Sequence, residues 1–249
     1  MTRTLSALRR RLRPGAASGP AVPPDLDSGF ASLYESCAPF TMTSVERMFA
    51  LYNAIEYIEA AGIPGDIVEC GVWRGGSSRL AALKLRALGS SARTLHLFDT
   101  FEGMPAPTDA DVQHSTGETA ARILDRGERV EDANNEWAYA PLSGVQRTMA
   151  ETGYPRVKYI QGKVEETLPA SAPAQIALLR LDTDWYESTR HELEHLYPRL
   201  ADGGVLIIDD YGYWEGARKA VDEYFREAGR TILLNRIDDT GRIALKIAR

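Results

Sequence analysis

Four aspartates end two apolar stretches of the chain, and they are the residues best suited to chemistry. "LRLDTDWYEST" ends its apolar run on Asp182 and Asp184, and "GGVLIIDDYG" ends on Asp209 and Asp210. No basic residue separates the members of either pair. Buried carboxylates repel one another unless a cation accompanies them. Oxygen ligands without His or Cys favour Mg²⁺, Mn²⁺ or Ca²⁺ over Zn²⁺.

The aspartates divide into three metal ligands and one candidate base. If the two strands are neighbours, Asp182, Asp209 and Asp210 converge within a few ångströms at one edge of the sheet. Asp184 lies one pleat beyond Asp182, so that one of the two serves as ligand and the other as general base. The alternative is helix capping, because Asp184 and Asp210 each precede a helical pattern.

A glycine-rich turn in "ECGVWRGGS" is the second candidate site. Gly71, Gly75 and Gly76 allow a tight turn and a close approach to a ligand. The spacing is not that of a dinucleotide fold, and the Lys-Ser/Thr of a phosphate loop is missing. Glu69 before the turn favours a cationic ligand over a phosphate. The alternative is a tight turn that needs glycine only for packing.

Asp99, in "LHLFDTFEG", ends the strand that follows the glycine turn. An acid at this distance from such a turn is placed to accept both ribose hydroxyls of a nucleoside. Alone, Asp99 is equally well explained as a helix cap. Turn and acid together favour S-adenosylmethionine, which has a sulfonium cation and a free ribose, over NAD.

Alternating elements position these residues. The segments "DIVECG", "TLHLFDT", "VKYIQGK", "IALLRLD" and "GVLIIDD" read as buried strands separated by helical patterns, including a helix from Ser44 to Gly62 and another from Ser77 to Leu88. This order predicts an α/β fold with a doubly wound, mostly parallel sheet. "TILLNRIDDTGRIALKIAR" predicts an antiparallel hairpin at one edge, which gives seven strands.

Two segments depart from the alternation. Residues 1–29 contain Arg9–Arg11 and a Pro-rich stretch, which is typical of a mobile arm, so we place a single domain at residues 30–249. Residues 103–140 form a long polar insertion, which predicts a substrate-binding lid. Its Trp137 and Tyr139 are candidates to exclude water from the acceptor.

Composition limits the function classes. The chain has 249 residues and a net charge of −6, which argues against a protein that binds nucleic acid or an anionic membrane. No apolar stretch reaches the length of a membrane span. Cys37 and Cys70 suit a reducing compartment, and the basic beginning lacks the features of a signal peptide, so we expect a cytoplasmic location. We also expect a homo-oligomer, a dimer or larger.

The remaining polar and aromatic residues are less specific. His191 and His195 lie one helical turn apart, but no third ligand is near them, and we interpret them as a solvated helix face. Three tryptophans follow strand ends and either wall the pocket or pack helices against the sheet, namely Trp73, Trp185 and Trp214.

These motifs together resemble the macrocin O-methyltransferase family. The similarity runs from about Thr41 to the C-terminus and rests on "TMTSVERMFALYNAIEY", "PGDIVECGVWRGGSS", "LFDTFEGMP", "LLRLDTDWYESTRHELEHLYPRL" and "GGVLIIDDYGYWEGARKAVDEYF". The resemblance implies a class I methyltransferase fold that uses S-adenosylmethionine and Mg²⁺ to methylate a deoxysugar hydroxyl. It implies metal ligation by Asp182, Asp209 and Asp210, and a general-base role for Asp184.

The sequence therefore predicts a Mg²⁺-assisted O-methyltransferase that acts on a small-molecule sugar or glycoside. The alternatives are a catechol-type O-methyltransferase, with the same metal site, and a non-catalytic nucleoside- or metal-binding module. The residues expected to bind the cofactor are Glu69, Cys70, Gly71, Val72, Trp73, Ser77, Asp99, Thr100, Gly162, Val164 and Asp182.

Overall fold

The computed structural model describes residues 22–248. The helices are α1 Ser28–Cys37, α2 Val45–Ala60, α3 Gly76–Ala87, α4 Ala120–Arg126, α5 Leu142–Ala150, α6 Val164–Thr167, α7 Tyr186–Leu196 and α8 Glu215–Glu227. The strands are β1 Asp66–Cys70, β2 Leu95–Asp99, β3 Val157–Gln161, β4 Ile176–Leu181, β5 Leu200–Ile208, β6 Asn235–Arg236 and β7 Arg242–Leu245.

The strands form one seven-stranded sheet in the order β3-β2-β1-β4-β5-β7-β6. The pairs from β3 to β5 are parallel, and β7 pairs antiparallel with β5 and with the two-residue β6. The predicted fold class, a mostly parallel seven-stranded sheet with an antiparallel C-terminal hairpin, is confirmed. Because the strand order reverses between β1 and β4, a crevice opens at their carboxyl ends.

Helices cover both faces of the sheet. The central strand β4 is buried along its whole length, as its largely apolar composition predicts, and Arg180 is its one charged residue. On one face, α1, α2 and α3 contribute Phe30, Met48 and Leu80 to a core. On the other face, α7 and α8 contribute Leu193 and Phe225 to a second core. The two cores fix the strands relative to one another and thereby position the side chains that follow the carboxyl ends of the strands.

The boundaries of the helices follow local chemistry. Ser44 caps α2, since its Oγ accepts a hydrogen bond from Arg47 N at 3.1 Å, as expected. α3 begins one residue before the predicted start. Of the expected arm, residues 1–21 lie outside the described residues, whereas its last residues, Ser28 and Gly29, belong to α1. Between residues 22 and 248, no helix combines the length and apolarity that crossing a bilayer requires.

The interpretation of the α7 histidines as a solvated face is partly wrong. His191 and His195 contact each other with ring centroids 4.3 Å apart, and the Nε2 of His191 is buried. Glu192 between them is fully buried and accepts a hydrogen bond from Thr183 Oγ1 at 3.0 Å. The charge-rich pattern was misleading, because Glu192 lies on the buried side of α7, beside Thr183 after β4, whereas Glu194 is exposed.

Candidate active site

A cavity of about 430 Å³ opens at the carboxyl ends of β1, β2, β4 and β5. It lies at the reversal of strand order, where ligands bind in open α/β sheets. Its size is within the usual range for small-molecule sites. The predicted site residues that line it are Gly71, Val72, Trp73, Ser77, Asp99, Thr100, Gly162, Val164, Asp182, Asp184, Asp209 and Asp210.

The turn after β1 is held close to the end of β4. Gly71 has φ +83°, and a Cβ atom at this position would collide with the carbonyl group of Asp182. Asp182 N in turn donates a hydrogen bond to Cys70 O at 2.8 Å. Glycine is therefore required at position 71 for both conformation and space. The contact fixes the glycine turn beside the aspartates.

Asp99 binds the glycine turn directly. Its Oδ2 accepts hydrogen bonds from Val72 N at 2.6 Å and Trp73 N at 3.1 Å, and its Oδ1 accepts one from Phe101 N at 2.6 Å. Burial raises the pKa of Asp99, and these N–H groups oppose that rise. A role of Asp99 in shaping the cofactor turn is thus visible, and its contact with a ribose stays a prediction.

Glu69 and Cys70 are the predicted cofactor residues that do not line the cavity. Glu69 is buried beneath the turn, where its carboxylate pairs with Arg180 Nη1 at 2.8 Å and accepts a hydrogen bond from Ser78 Oγ. Cys70 points into the core below β1. Glu69 thus faces Arg180 rather than the cavity, and its attraction for a cationic ligand stays a prediction.

Three of the four aspartates converge as the sequence predicts. One carboxylate oxygen of each of Asp182, Asp209 and Asp210 lies within 4.8 Å of the others. Burial raises the pKa values of Asp182 and Asp210 well above the usual range, and neighbouring carboxylates raise them further. These oxygens form a donor set of the type that Mg²⁺ prefers.

Two arginines accompany the aspartates in space, although no basic residue separates the members of either pair in the sequence. Arg180 pairs with Asp182 Oδ2 at 2.7 Å and with Asp209 Oδ1 at 2.6 Å. Arg47, from the first turn of α2, pairs with Asp209 Oδ2. Arg180 precedes Asp182 by two residues, and residues two apart in a strand share a face. The alternation along β4 was thus a sufficient signal for Arg180, whereas Arg47 reaches the site from a distant helix.

Asp184 has the environment of a poised base. It adopts φ +65° and accepts a hydrogen bond from Trp214 Nε1 at 2.8 Å. Burial raises the pKa of Asp184 to about 7, and the nearby Asp182 charge contributes. The capping alternative fails for Asp184, because no backbone N–H at the start of α7 donates a hydrogen bond to this carboxylate. It fails for Asp210 as well, since α8 has no side-chain cap.

Asp111, in the insertion, is a buried carboxylate that the sequence did not reveal as important. It is fully buried, and its Oδ1 accepts a hydrogen bond from Tyr186 N at 2.7 Å. Its Oδ2 accepts one from Thr108 N at 2.7 Å. Asp111 thus caps the start of α7, two residues after Asp184, and Gly216 at the start of α8 leaves room for its carboxylate. The first part of the insertion is therefore built into the scaffold.

The second part of the insertion borders the cavity. Residues 134–136 and Ala138 contribute to its lining. Trp137 and Tyr139 do not line it: Trp137 Nε1 donates to Leu124 O at 3.1 Å, and the Tyr139 ring lies under Arg129. These two aromatic residues thus hold the segment together, and closure of a lid over the acceptor stays a prediction.

The tryptophans that follow strand ends line the cavity, and two of them also pack against each other. Trp185 and Trp214 line the cavity and also pack edge to face, with ring centroids 4.9 Å apart. Trp73 lines the cavity at φ +48°, and its Nε1 is buried without a hydrogen-bond partner among residues 22–248. The wall therefore holds one donor that a bound ligand could satisfy.

Comparisons with known proteins identify the family of the chain. Residues 34–245 match the model of the family described as Macrocin-O-methyltransferase (TylF). The chain is 37% identical to the 8-demethyl-8-(2,3-dimethoxy-alpha-L-rhamnosyl)-tetracenomycin-C 4'-O-methyltransferase of Streptomyces olivaceus, over 88% of this chain and 80% of that protein. It is 34% identical to the mycinamicin III 3''-O-methyltransferase of Micromonospora griseorubida, over 81% and 76%.

A solved structure supports the same assignment. The O-methyltransferase NovP superposes with a TM-score of 0.72 and 29% sequence identity, over 84% of this chain and 83% of that one. The match to the family model extends over most of the chain, including the glycine turn and all four aspartates. The chain therefore belongs to the macrocin O-methyltransferase family and is an O-methyltransferase.

Proposed function

We propose that the protein transfers the methyl group of S-adenosylmethionine to a sugar hydroxyl of a natural-product glycoside, with Mg²⁺ bound in the same cavity. One observation carries the proposal: Asp184, the carboxylates of Asp182, Asp209 and Asp210, and the Gly71 turn all border one cavity. A base, a cation site and a cofactor turn are the parts that methylation of an unactivated alcohol requires.

The aspartate cluster fits Mg²⁺. Asp182, Asp209 and Asp210 offer only oxygen ligands, and Asp210 has no arginine partner among the described residues. Mn²⁺ has similar preferences and is the expected substitute. When bound, the cation supplies a Lewis acid at the acceptor oxygen and lowers the cost of its negative charge. The residues of the chain then have to hold and deprotonate the hydroxyl.

The other side of the cavity fits S-adenosylmethionine, which supplies an electrophilic methyl group. The Gly71 turn borders the cavity, and the buried Trp73 Nε1 lacks a partner in the described part of the chain. Thr100 follows β2, and Gly162 and Val164 follow β3. All three line the part of the cavity in which we place the adenosine. Their positions support the assignment of these residues to the cofactor.

Asp184 is the proposed general base. In the reaction, the acceptor oxygen forms a bond to the methyl carbon, the carbon–sulfur bond breaks, and the hydroxyl proton moves to Asp184. The hydrogen bond from Trp214 Nε1 fixes one carboxylate oxygen and thereby its orientation. Positioning of the two reactants accounts for a large share of such a rate enhancement.

The assignment of a sugar as the methyl acceptor rests on the names of similar proteins. The names of the two proteins that are 37% and 34% identical specify methylation of a rhamnosyl tetracenomycin and of a mycinamicin. We therefore favour a glycoside over a catechol, and we propose a role in antibiotic biosynthesis. A cytoplasmic location is supported by the free thiols of Cys37 and Cys70. The homo-oligomer stays a prediction.

Methyl transfer from labelled S-adenosylmethionine to a panel of deoxysugar glycosides and catechols tests the proposal. We expect transfer to glycosides, loss of transfer in EDTA, and recovery when Mg²⁺ is added. Transfer to catechols alone would contradict the sugar assignment. Full activity in the chelator would contradict the cation but leave the methyltransferase assignment intact.

A further inference from the structure

Both carboxylate oxygens of Asp209 are engaged by arginines. Oδ1 accepts from Arg180 Nη2 at 2.6 Å, and Oδ2 pairs with Arg47 Nη1. The carboxylate is buried, and charged hydrogen bonds of this kind are the strong ones. Asp209 is therefore satisfied without a metal ion. A carboxylate oxygen can accept a hydrogen bond and bind a cation at once. A divalent cation and a guanidinium on the same oxygen repel each other, however, so that a cation bound to Asp209, as proposed above, favours release of one arginine.

Arg180 is not the arginine that can leave. Its side chain is 3% exposed and also pairs with Glu69 at 2.8 Å and Asp182 at 2.7 Å. Moving its guanidinium would leave these buried carboxylates without a counter-charge, which is strongly unfavourable. Arg180 therefore stays in place, bound to these carboxylates and to Asp209.

Arg47 has both space and a second partner. Its side chain is 14% exposed and borders the cavity. Its Nε donates to Asp238 Oδ2 at 2.9 Å, on the turn between β6 and β7. Asp238 is itself held, because its Oδ1 accepts from Gly241 N at 2.6 Å and Thr240 N at 2.9 Å. The guanidinium can therefore turn away from Asp209 while Asp238 keeps it.

We propose that Arg47 is the exchangeable counter-cation of Asp209. It holds Asp209 Oδ2 when no divalent cation is bound, and it yields this oxygen to the cation while its Nε stays on Asp238. The inference rests on the proposed metal site. Exchange keeps Asp209 paired with a cation in both states, so that neither state buries an uncompensated charge. It also makes Arg47 a competitor that weakens metal affinity.

Metal affinity and unfolding of Arg47→Met test the exchange without measuring turnover. Mn²⁺ binding is followed by electron paramagnetic resonance of the free ion, and thermal unfolding is recorded in EDTA and in saturating Mn²⁺. We expect Arg47→Met to bind Mn²⁺ at least about fivefold more tightly than wild type, the lower end of typical coupling between competing sites. Its loss of thermal stability should appear in EDTA and disappear in Mn²⁺.

Arg93→Met is the matched control. Arg93 is 12% exposed and pairs with Glu59. It precedes β2 and therefore lies at the amino ends of the strands, on the side of the sheet opposite the cavity. We expect this variant to bind Mn²⁺ like wild type and to lose the same stability with and without Mn²⁺. If Arg47→Met does not fold, Arg47→Lys serves instead, because one ammonium group cannot span Asp209 and Asp238.

Equal or weaker Mn²⁺ affinity in the Arg47 variant would overturn the exchange, and so would a stability loss that is the same in EDTA and Mn²⁺. Arg47 would then be a fixed structural partner of Asp209. Absence of Mn²⁺ binding in wild type and variants alike would overturn the metal site and the exchange together. Methyl transfer measured on the same samples distinguishes that outcome from failure of the methyltransferase assignment.

Discussion

Trp214 Nε1 donates a hydrogen bond to Asp184 Oδ1 over 2.8 Å, which joins the turn after β5 to the candidate base after β4. Asp184 needs such support, because its φ of +65° is unfavourable for a residue with a side chain. Asp111 provides a second support, since it binds Tyr186 N two residues further on. The geometry of the base thus depends on residues from three separate parts of the chain.

The Trp214→Phe variant tests this dependence. We expect its kcat to fall at least about tenfold, because a hydrogen bond to a charged group is worth about 1.5–3 kcal/mol. Cofactor affinity, measured by calorimetry, should stay unchanged. Tyr154→Phe is the control: it removes another buried aromatic donor, which binds Arg93 O at 2.7 Å far from the cavity. An equal loss of kcat in both variants would argue for a general effect of lost stability.

Gly71→Ala is expected to abolish cofactor binding and to destabilise the protein strongly. A methyl group at this position meets the carbonyl group of Asp182, and φ is +83°. Gly89→Ala is the control, since Gly89 has φ +72° but nothing within 4 Å of the added carbon. The control should cost only the conformational strain, about 1–2 kcal/mol in urea unfolding. Similar stability of both variants would show that the turn can move away from β4.

Asp99→Ala should weaken binding of S-adenosylmethionine by about 1–3 kcal/mol. The variant removes the acceptor for Val72 N and Trp73 N and so loosens the cofactor turn. Asp66→Ala is the control, because Asp66 also accepts a backbone hydrogen bond, from Thr94 N at 2.8 Å, but at the start of β1. Calorimetry that shows equal affinity for wild type and Asp99→Ala would remove Asp99 from the cofactor site.

Hydrogen exchange should divide the insertion into two parts. Residues near Asp111 are expected to exchange slowly even without ligands, because Asp111 is fully buried between the ends of two helices. Residues 127–140 should exchange faster and slow down when cofactor and acceptor are both present. Unchanged exchange of residues 127–140 in the ternary complex would mean that this segment does not act as a lid.

The fold and the position of the site were predictable because they follow from local patterns. Apolar strands alternating with helical segments predict the parallel sheet, and the residues directly after the strands lie at one edge of it. This places Asp99, Asp182 and Asp209 correctly relative to the Gly71 turn.

The charge balance of the site was not predictable to the same extent. Arg47 and Asp209 are 162 residues apart in sequence, and no periodicity relates them. Nothing in the sequence distinguishes Asp111 from other polar loop residues, and its importance follows only from its contacts with the starts of α7 and α8. The pairing of Glu69 is of the same kind, because its partner, Arg180, lies on another strand. Such pairings depend on tertiary contacts, which a sequence pattern does not contain.

Asp182 and Asp184 should differ in what their amide variants lose. Asp182→Asn is expected to lose metal affinity and activity together, with partial recovery at high Mg²⁺, because it removes a ligand oxygen. Asp184→Asn is expected to bind metal and both substrates almost as wild type does. This contrast makes Asp182→Asn the control for the measurement that follows.

Single-turnover methyl transfer by Asp184→Asn, at saturating cofactor, acceptor and Mg²⁺, tests the central claim that Asp184 is the general base. We predict a rate about 10²–10⁴-fold below wild type, the usual cost of removing a general base. The loss should shrink at high pH, where hydroxide can accept the proton. A near wild-type rate at neutral pH would contradict the account, and the proton would then have to pass to Asp182 or to water.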